Sequence, residues 1–343
     1  MAHSETLDYL RAERFMADAA KGRALASAFE LGLIDCLAAG GPVTFSALRA
    51  KLGCDEKGLR MLLRLLRANE AIEQRDDLIR LTSLFHAALH YRDYIEMKLS
   101  FTDFVLHDLG DHFTTLVSDP AAFHRRARLF NLFSYDGCLR DSAENREAAR
   151  RWMRITTCLT RYEAPACLDH YDFSIHRRML DIGGNSGEFA RRACMRHPEI
   201  SALVMDLPVV CRVGAEHMEG KPEAGRVRFL EGNALLDPIP RGFDLISFKS
   251  MLHDWPERET TRFLSRAVEA LEPGGVVLIF ERSPLESDEC DVSFSALPFL
   301  LFFRSFRDSS WYESRLKALG LADVATTTLR LDTPFHIITG RKE

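Results

Sequence analysis

The chain has no CxxC pair, no cysteine–histidine cluster at zinc-ligand spacing and no long apolar run. Each absence removes a class of protein. The 8 cysteines are scattered over 343 residues, so they read as buried apolar side chains in a reducing compartment, with neither a disulfide framework nor a metal site. The most apolar stretch, residues 296–303, is far too short to span a bilayer, and no membrane partner is expected. Glu5, Asp8, Arg11 and Glu13 break up any apolar core of a secretory leader, so a cytoplasmic protein is expected. An excess of positive charge is missing as well. Lys and Arg number 45 against 50 Asp and Glu, a formal charge of -5, which does not favour a polyanion such as nucleic acid.

What is present suffices for two domains. Hydrophobic residues make up 46% of the chain and charged residues 28%, ordinary globular values with enough apolar mass for a core. Up to about residue 100 the periodicity is helical. Phe15, Ala19, Ala20, Leu25 and Phe29 space as one amphipathic face. Thr44 and Asp55 stand as N-caps of two successive short helices, the second carrying Leu59, Leu62, Leu63 and Leu66. Ile72 and Leu78-Ile79-Arg80-Leu81 flank Asp76-Asp77 as a hairpin. Two helices followed by a two-stranded wing make a winged-helix arrangement. A DNA-binding reading would recruit Arg60, Arg64 and Arg67, yet no basic cluster extends beyond that helix. They are expected to be its solvated face, and residues 1–100 a packing or dimerisation domain. Residues 101–343 are expected to form the second domain, beginning with a helical, substrate-lining segment over 101–170.

From Arg178 onward, strand and helix alternate. Residues 179–182 run into Gly183-Gly184-Asn185-Ser186-Gly187, residues 202–205 end at Asp206, and residues 227–230 end at Glu231-Gly232-Asn233. Residues 243–248 and 275–280 supply two further strands. Such alternation predicts an α/β fold with a parallel sheet covered by helices on both faces. Residues 325–331 and 335–339, separated by little more than Asp332-Thr333-Pro334, are expected as an antiparallel closing pair.

In an open parallel sheet, ligands bind beyond the carboxyl ends of the strands. The glycine turn lets backbone approach a ligand closely, and the helix after Gly187 presents free N–H groups. Asp206, about two dozen residues further on, can accept both hydroxyls of a ribose. Turn and carboxylate together point to a nucleoside. Asp181 puts negative charge directly before the turn, which suits the cationic end of S-adenosylmethionine better than a pyrophosphate. The antiparallel closing pair also departs from a dinucleotide fold. His253, at the mouth of the sheet, is expected to be a general base. A phenol, with a pKa of about 10, attacks a sulfonium methyl poorly until it loses its proton. Glu281 closes the fifth strand and can orient the imidazole. The competing readings are a structural histidine and a solvated strand-end acid. Asp254 is expected to N-cap a helix over 255–271, with Glu257 completing a capping box. Trp152, Met153, Phe299 and Phe303 suit a flat apolar acceptor, unless they are core.

The segments LDIGGNSG, MDLP, EGNALLDPIP, FKSMLHDWPERE and VVLIFERSPLE resemble the small-molecule O-methyltransferases of the caffeate and hydroxyneurosporene type. The resemblance covers nearly the whole chain. It implies a class I methyltransferase fold: a Rossmann-like parallel sheet with an antiparallel C-terminal strand, plus a helical, winged-helix N-terminal dimerisation domain. It also implies a homodimer, S-adenosylmethionine as cofactor, a small-molecule acceptor and no metal. Gly183, Gly184 and Asp206, with Asp181, Gly187 and Leu207 beside them, would hold the cofactor. Asn233 and Ala234 would flank the adenine, Lys249 would contact the cofactor, and His253 would be the base hinged by Glu281. Two departures stand out. The family often has Asp where Asn233 stands. Many members also carry a second acid before the C-terminal helix, where this chain has Ser305 and Phe306, and Asp308 is expected to cap that helix instead. The departures keep open a carbon, nitrogen or sulfur acceptor, or a relative that binds the cofactor without methylating.

Overall fold

The computed structural model describes residues 8–16, 19–132, 135–284, 293–302 and 304–343. The chain divides into two units, Met1–Arg126 with Glu289–Leu301, and Ala127–Asp288 with Phe302–Glu343.

The first unit contains helices α1 (Ala19–Glu30), α2 (Leu33–Ala38), α3 (Phe45–Leu52), α4 (Glu56–Ala68), α5 (Ser83–Ala88), α6 (Arg92–Ser118) and α7 (Pro120–Arg126). A small antiparallel sheet of β1 (Val43–Thr44), β2 (Ile72–Arg75) and β3 (Leu78–Leu81) runs in the order β1-β3-β2. Its winged shape follows from local signals. Thr44 Oγ1 accepts from the Ala47 N–H at 3.3 Å, and Asp55 Oδ2 accepts from the Gly58 N–H at 2.8 Å, so both expected N-caps form. Gly53 closes α3 with a φ of 64°, a left-handed conformation that a Cβ would disfavour. The α4 helix buries Leu59, Leu62, Leu63 and Leu66 and leaves Arg60, Arg64 and Arg67 exposed, as its periodicity requires. One expected face does not form. Ala19 and Ala20 are exposed because α1 starts there and buries Ala24, Leu25, Ala26 and Ala28 instead, while Phe15 belongs to a separate 3-10 helix, Asp8–Met16.

The second unit is built on seven strands: β4 (Arg178–Ile182), β5 (Ser201–Asp206), β6 (Val227–Glu231), β7 (Phe243–Lys249), β8 (Leu271–Arg282), β9 (Leu321–Arg330) and β10 (Pro334–Lys342). Their order is β6-β5-β4-β7-β8-β10-β9. The first five are parallel, and β10 runs antiparallel to both β8 and β9. Chain order reverses direction beside β4, where β5 lies on one side and β7 on the other. That is the topological switch point at which open α/β sheets bind ligands. The unit's helices are α8 (Tyr135–Cys138), α9 (Ala143–His170), α10 (Glu188–Arg196), α11 (Pro208–Met218), α12 (Glu257–Ala270) and a last one over Ser309–Ala318. Leu180, Ile182, Ile246, Phe248, Val277 and Ile279 fill the central strands and belong to one core with Phe263, Leu264 and Ala267 of α12. Strands covered on both faces read as such continuous apolar runs.

The α12 helix starts two residues later than expected, with Pro256 at the cap position and no side-chain cap. Asp254 is therefore not an N-cap; its carboxylate is engaged elsewhere, as described below. No described helix is long and apolar enough to cross a membrane. Among the described residues, no three His, Cys, Asp or Glu side chains group as metal ligands.

Candidate active site

The turn between β4 and α10 is shaped by close packing. Gly183 has a φ of 68° and Gly187 one of 72°, and both positions favour glycine. A Cβ on Gly183 would lie 2.5 Å from Met251 Cγ, and one on Gly184 would lie 2.5 Å from Asp181 Oδ2. Hydrogen bonds then fasten the turn on two sides. The Asn185 N–H donates to Asp206 Oδ2 at 2.8 Å, while the Leu207 N–H donates to Asp206 Oδ1 at 2.7 Å. From α9, the Thr156 hydroxyl reaches Asn185 Oδ1 at 3.1 Å and the Thr157 hydroxyl reaches Ser186 Oγ at 2.7 Å.

Two carboxylates dominate the electrostatics here. Burial raises the Asp206 pKa to about 6, against the hydrogen bonds from Leu207 and Asn185. Burial also raises Asp181 to about 7; the Ser247 hydrogen bond and the Lys249 charge oppose the rise, and the charge of Asp206 adds to it. The Ser247 hydroxyl donates to Asp181 Oδ1 at 2.6 Å, but Asp181 Oδ2 has no hydrogen-bond partner among the described residues. A buried acceptor without a donor costs roughly 1–3 kcal/mol. Neither acid forms an ion pair among the described residues. This acidic setting suits a ligand with hydroxyls and a positive end better than a pyrophosphate.

The remaining cofactor candidates sit around the same strand ends. Asn233 Oδ1 accepts from the Leu235 N–H at 2.9 Å, and the Asn233 N–H donates to Asp237 Oδ2 at 2.7 Å. Ala234 is buried in the core of the unit, and Leu207 packs beside Met153 and Val210. Lys249 Nζ donates to Thr160 Oγ1 at 3.0 Å and pairs with Glu163.

His253 lies on a 3-10 turn, Leu252–Asp254, directly after β7. Its Nδ1 is 2.7 Å from Glu281 Oε2. Glu281 Oε1 accepts from the Met251 N–H at 2.8 Å and the Leu252 N–H at 2.7 Å. An acceptor-only carboxylate on Nδ1 favours the proton there, which in the neutral ring leaves the lone pair on Nε2. Nε2 is 3.3 Å from Asp254 Oδ1, and Asp254 Oδ2 accepts from the Tyr135 hydroxyl at 2.8 Å. Burial works to lower the His253 pKa, but the charges of Glu281 and Asp254 and the Glu281 hydrogen bond outweigh it and leave the imidazole raised. Arg307 fixes the turn from outside, donating to the Leu252 carbonyl at 3.1 Å and to the Trp255 carbonyl.

His253, Glu281, Asp181, Asp206 and the glycine turn were all expected at the sheet mouth; the structure joins His253 to Glu281 directly, Asp206 to the turn through the Asn185 N–H, and Asp181 to the turn by packing under Gly184. The acceptor candidates are dispersed. Trp152 is half-buried, Met153 packs against Val209, Val210 and Val213, and Phe299 lies under Lys98 Nζ at 4.6 Å within the first unit. Phe303 lies outside the described residues. Where a second acid was sought, Phe306 instead sets its ring 5.3 Å from the imidazole, with Phe302 at 6.4 Å. Asp308 occupies the cap position of the last helix but makes no side-chain cap bond. Asp254, Tyr135, Glu163 and Arg307 were missed. Asp254 could have been found, because Pro256 already suits the start of α12 and frees the preceding acid. Tyr135 carried no such signal.

A family model described as the O-methyltransferase domain matches residues 107–297, and one described as the O-methyltransferase dimerisation domain matches residues 14–84. The chain belongs to the O-methyltransferase family. An O-methyltransferase of this family uses S-adenosylmethionine, so the cofactor expected from the glycine turn and Asp206 is the right one, and the fold is the class I methyltransferase fold. Among curated relatives, a 3-hydroxy-5-methyl-1-naphthoate 3-O-methyltransferase of Streptomyces sahachiroi is 29% identical over 278 residues, 76% of this chain and 73% of its own. The N,N-dimethyltransferase OxyT of Streptomyces rimosus is 26% identical over 279 residues, covering 76% and 74%. Human N-acetylserotonin methyltransferase, solved with S-adenosylmethionine, shares the fold of this O-methyltransferase at a TM-score of 0.73 and 21% identity, covering 100% of this chain and 99% of its own.

Proposed function

We propose that the protein methylates a hydroxyl on a flat, fused-ring aromatic acceptor, with His253 as general base, and works as a homodimer in the cytoplasm. Bound S-adenosylmethionine supplies an electrophilic methyl on a sulfonium. Asp206 would hold the ribose hydroxyls, and Asp181 with Gly183, Gly184 and Gly187 the amino-acid end. Asn233, Ala234 and Leu207 would border the adenosine, and Lys249 would lie beside it. His253 Nε2 takes the acceptor proton as the oxygen attacks, and Glu281 holds the ring and balances its charge. The acceptor hydroxyl would take the place of Asp254 Oδ1 on Nε2.

The observation that carries this reading is the grip of Glu281 on His253 Nδ1 together with the backbone of the same turn. It fixes tautomer and direction, the two requirements of a positioned base. Phe302 and Phe306 beside the imidazole suit a flat aromatic, and the naphthoate relative points the same way. The dimerisation domain over residues 14–84 supports the homodimer, and the seven described cysteines carry free thiols, which suits a reducing cytoplasm. Incubation with methyl-labelled cofactor and a panel of hydroxynaphthoates tests the proposal, with the product's methoxyl read by mass spectrometry and NMR. The N,N-dimethyltransferase relative favours a second reading, an amine acceptor; label on nitrogen would establish it.

A further inference from the structure

A buried group of four charges lies beside the cofactor mouth, and of the four only Lys249 has been given a place in the reading above. Lys249 leaves the carboxyl end of β7 two residues after Ser247, the residue that holds Asp181. Its ammonium is bound to Glu163 of α9, and Glu163 also binds Arg282, whose guanidinium reaches Asp332 Oδ1 at 2.8 Å. Their side chains are 9%, 3%, 5% and 2% exposed, in the order Lys249, Glu163, Arg282, Asp332. Two cations and two anions balance. Water screens little at such burial, so a missing charge is felt at neighbouring groups. Lys249 already acts on Asp181, lowering its pKa against the effect of burial.

Charge matters at this mouth because the two cofactor forms differ by one unit. S-adenosylmethionine carries a sulfonium, whereas S-adenosylhomocysteine has lost one methyl and holds a neutral thioether. A lysine and an arginine at the strand ends would repel the first and not the second. We propose that Glu163 is a positioning residue that cancels the charge of Lys249 and Arg282, and so sets the enzyme's preference between cationic donor and neutral product. This rests on the cofactor reading of the preceding section. Glu163 would also fix the direction of the Lys249 ammonium, which Thr160 holds from the same helix at 3.0 Å.

The test is calorimetric titration of the whole protein with S-adenosylmethionine and S-adenosylhomocysteine at low salt. Wild type, Glu163→Gln, Lys249→Met and the double variant are compared by the ratio of the two dissociation constants. A structural role would weaken both ligands alike and leave the ratio alone. The inference predicts that E163Q raises the ratio, donor over product, by about tenfold, the scale of one unit charge at roughly 10 Å and an effective dielectric near 20. K249M lowers the ratio in the opposite sense, and the double variant returns it toward wild type. K249M decides the matter alone should E163Q fail to fold. Ratios that stay within about threefold of wild type overturn the inference. Wild-type protein that binds neither ligand would instead overturn the cofactor reading.

Discussion

Glu281 holds His253 Nδ1 at 2.7 Å with one oxygen, and its other oxygen is occupied by two N–H groups of the turn that carries the histidine. One buried acid thus sets the tautomer of the ring and the path of its backbone. Replacing His253 by Ala is expected to lower kcat by at least about a hundredfold, the usual worth of a positioned base, with the affinity for S-adenosylhomocysteine nearly unchanged. Glu281→Gln is expected to lose a similar factor, since an amide cannot accept at both ends. Single-turnover transfer of labelled methyl checks both; full turnover by H253A removes the histidine from the mechanism.

The pH profile follows from the second carboxylate. The His253 pKa is lowered by burial but raised overall by Glu281, then Asp254. A base acts unprotonated, so kcat/KM should rise with pH through that raised value. Asp254→Asn removes one of the raising charges and is expected to move the acidic limb to lower pH. A limb that stays in place or moves upward would show that Asp254 does not act on the ring.

Cofactor affinity should carry a pH limb of its own. Asp206 accepts two backbone N–H bonds and, with its pKa at about 6, is ionised at neutral pH. Protonation removes acceptor capacity, so affinity for S-adenosylhomocysteine is expected to fall as pH drops through about 6. Asp206→Asn should weaken binding at neutral pH by at least about tenfold, the scale of one lost charged hydrogen bond, and flatten that limb. Calorimetry at pH 5 and 7.5 measures both effects.

Packing beneath the glycine turn predicts a stability loss. In Gly184→Ala the new Cβ would meet Asp181 Oδ2 at 2.5 Å and Val204 Cγ1 at 2.9 Å. Overpacking of this kind costs about 1–3 kcal/mol. Thermal unfolding should occur several degrees lower, and cofactor affinity should fall as Asp181 shifts.

What the sequence reveals here is what local chemistry dictates. Thr44 and Asp55 announce their helices because a cap bonds three residues ahead, and both do so. The glycine turn and Asp206 are legible because strand ends fix where they must lie. Asp254 is misleading for the same local reason: with Glu257 it matches a capping box, yet it is drawn to Tyr135 and His253. Tyr135 stands 119 positions from Asp254, and Glu163 stands 119 from Arg282. Contacts of that span are made by the sheet, and no short pattern encodes them. Met153 shows the limit in the other direction, since an apolar residue at helical spacing serves core and pocket equally well, and here it meets α11.

The central claim is that His253 deprotonates a hydroxyl for methyl transfer. Wild type and His253→Ala, incubated with methyl-labelled S-adenosylmethionine and a hydroxynaphthoate that wild type accepts, test it most directly. The account predicts a labelled methoxyl from wild type and at least about a hundredfold less of it from H253A at equal cofactor occupancy. Label on carbon or nitrogen, or equal methoxyl from both proteins, would contradict it.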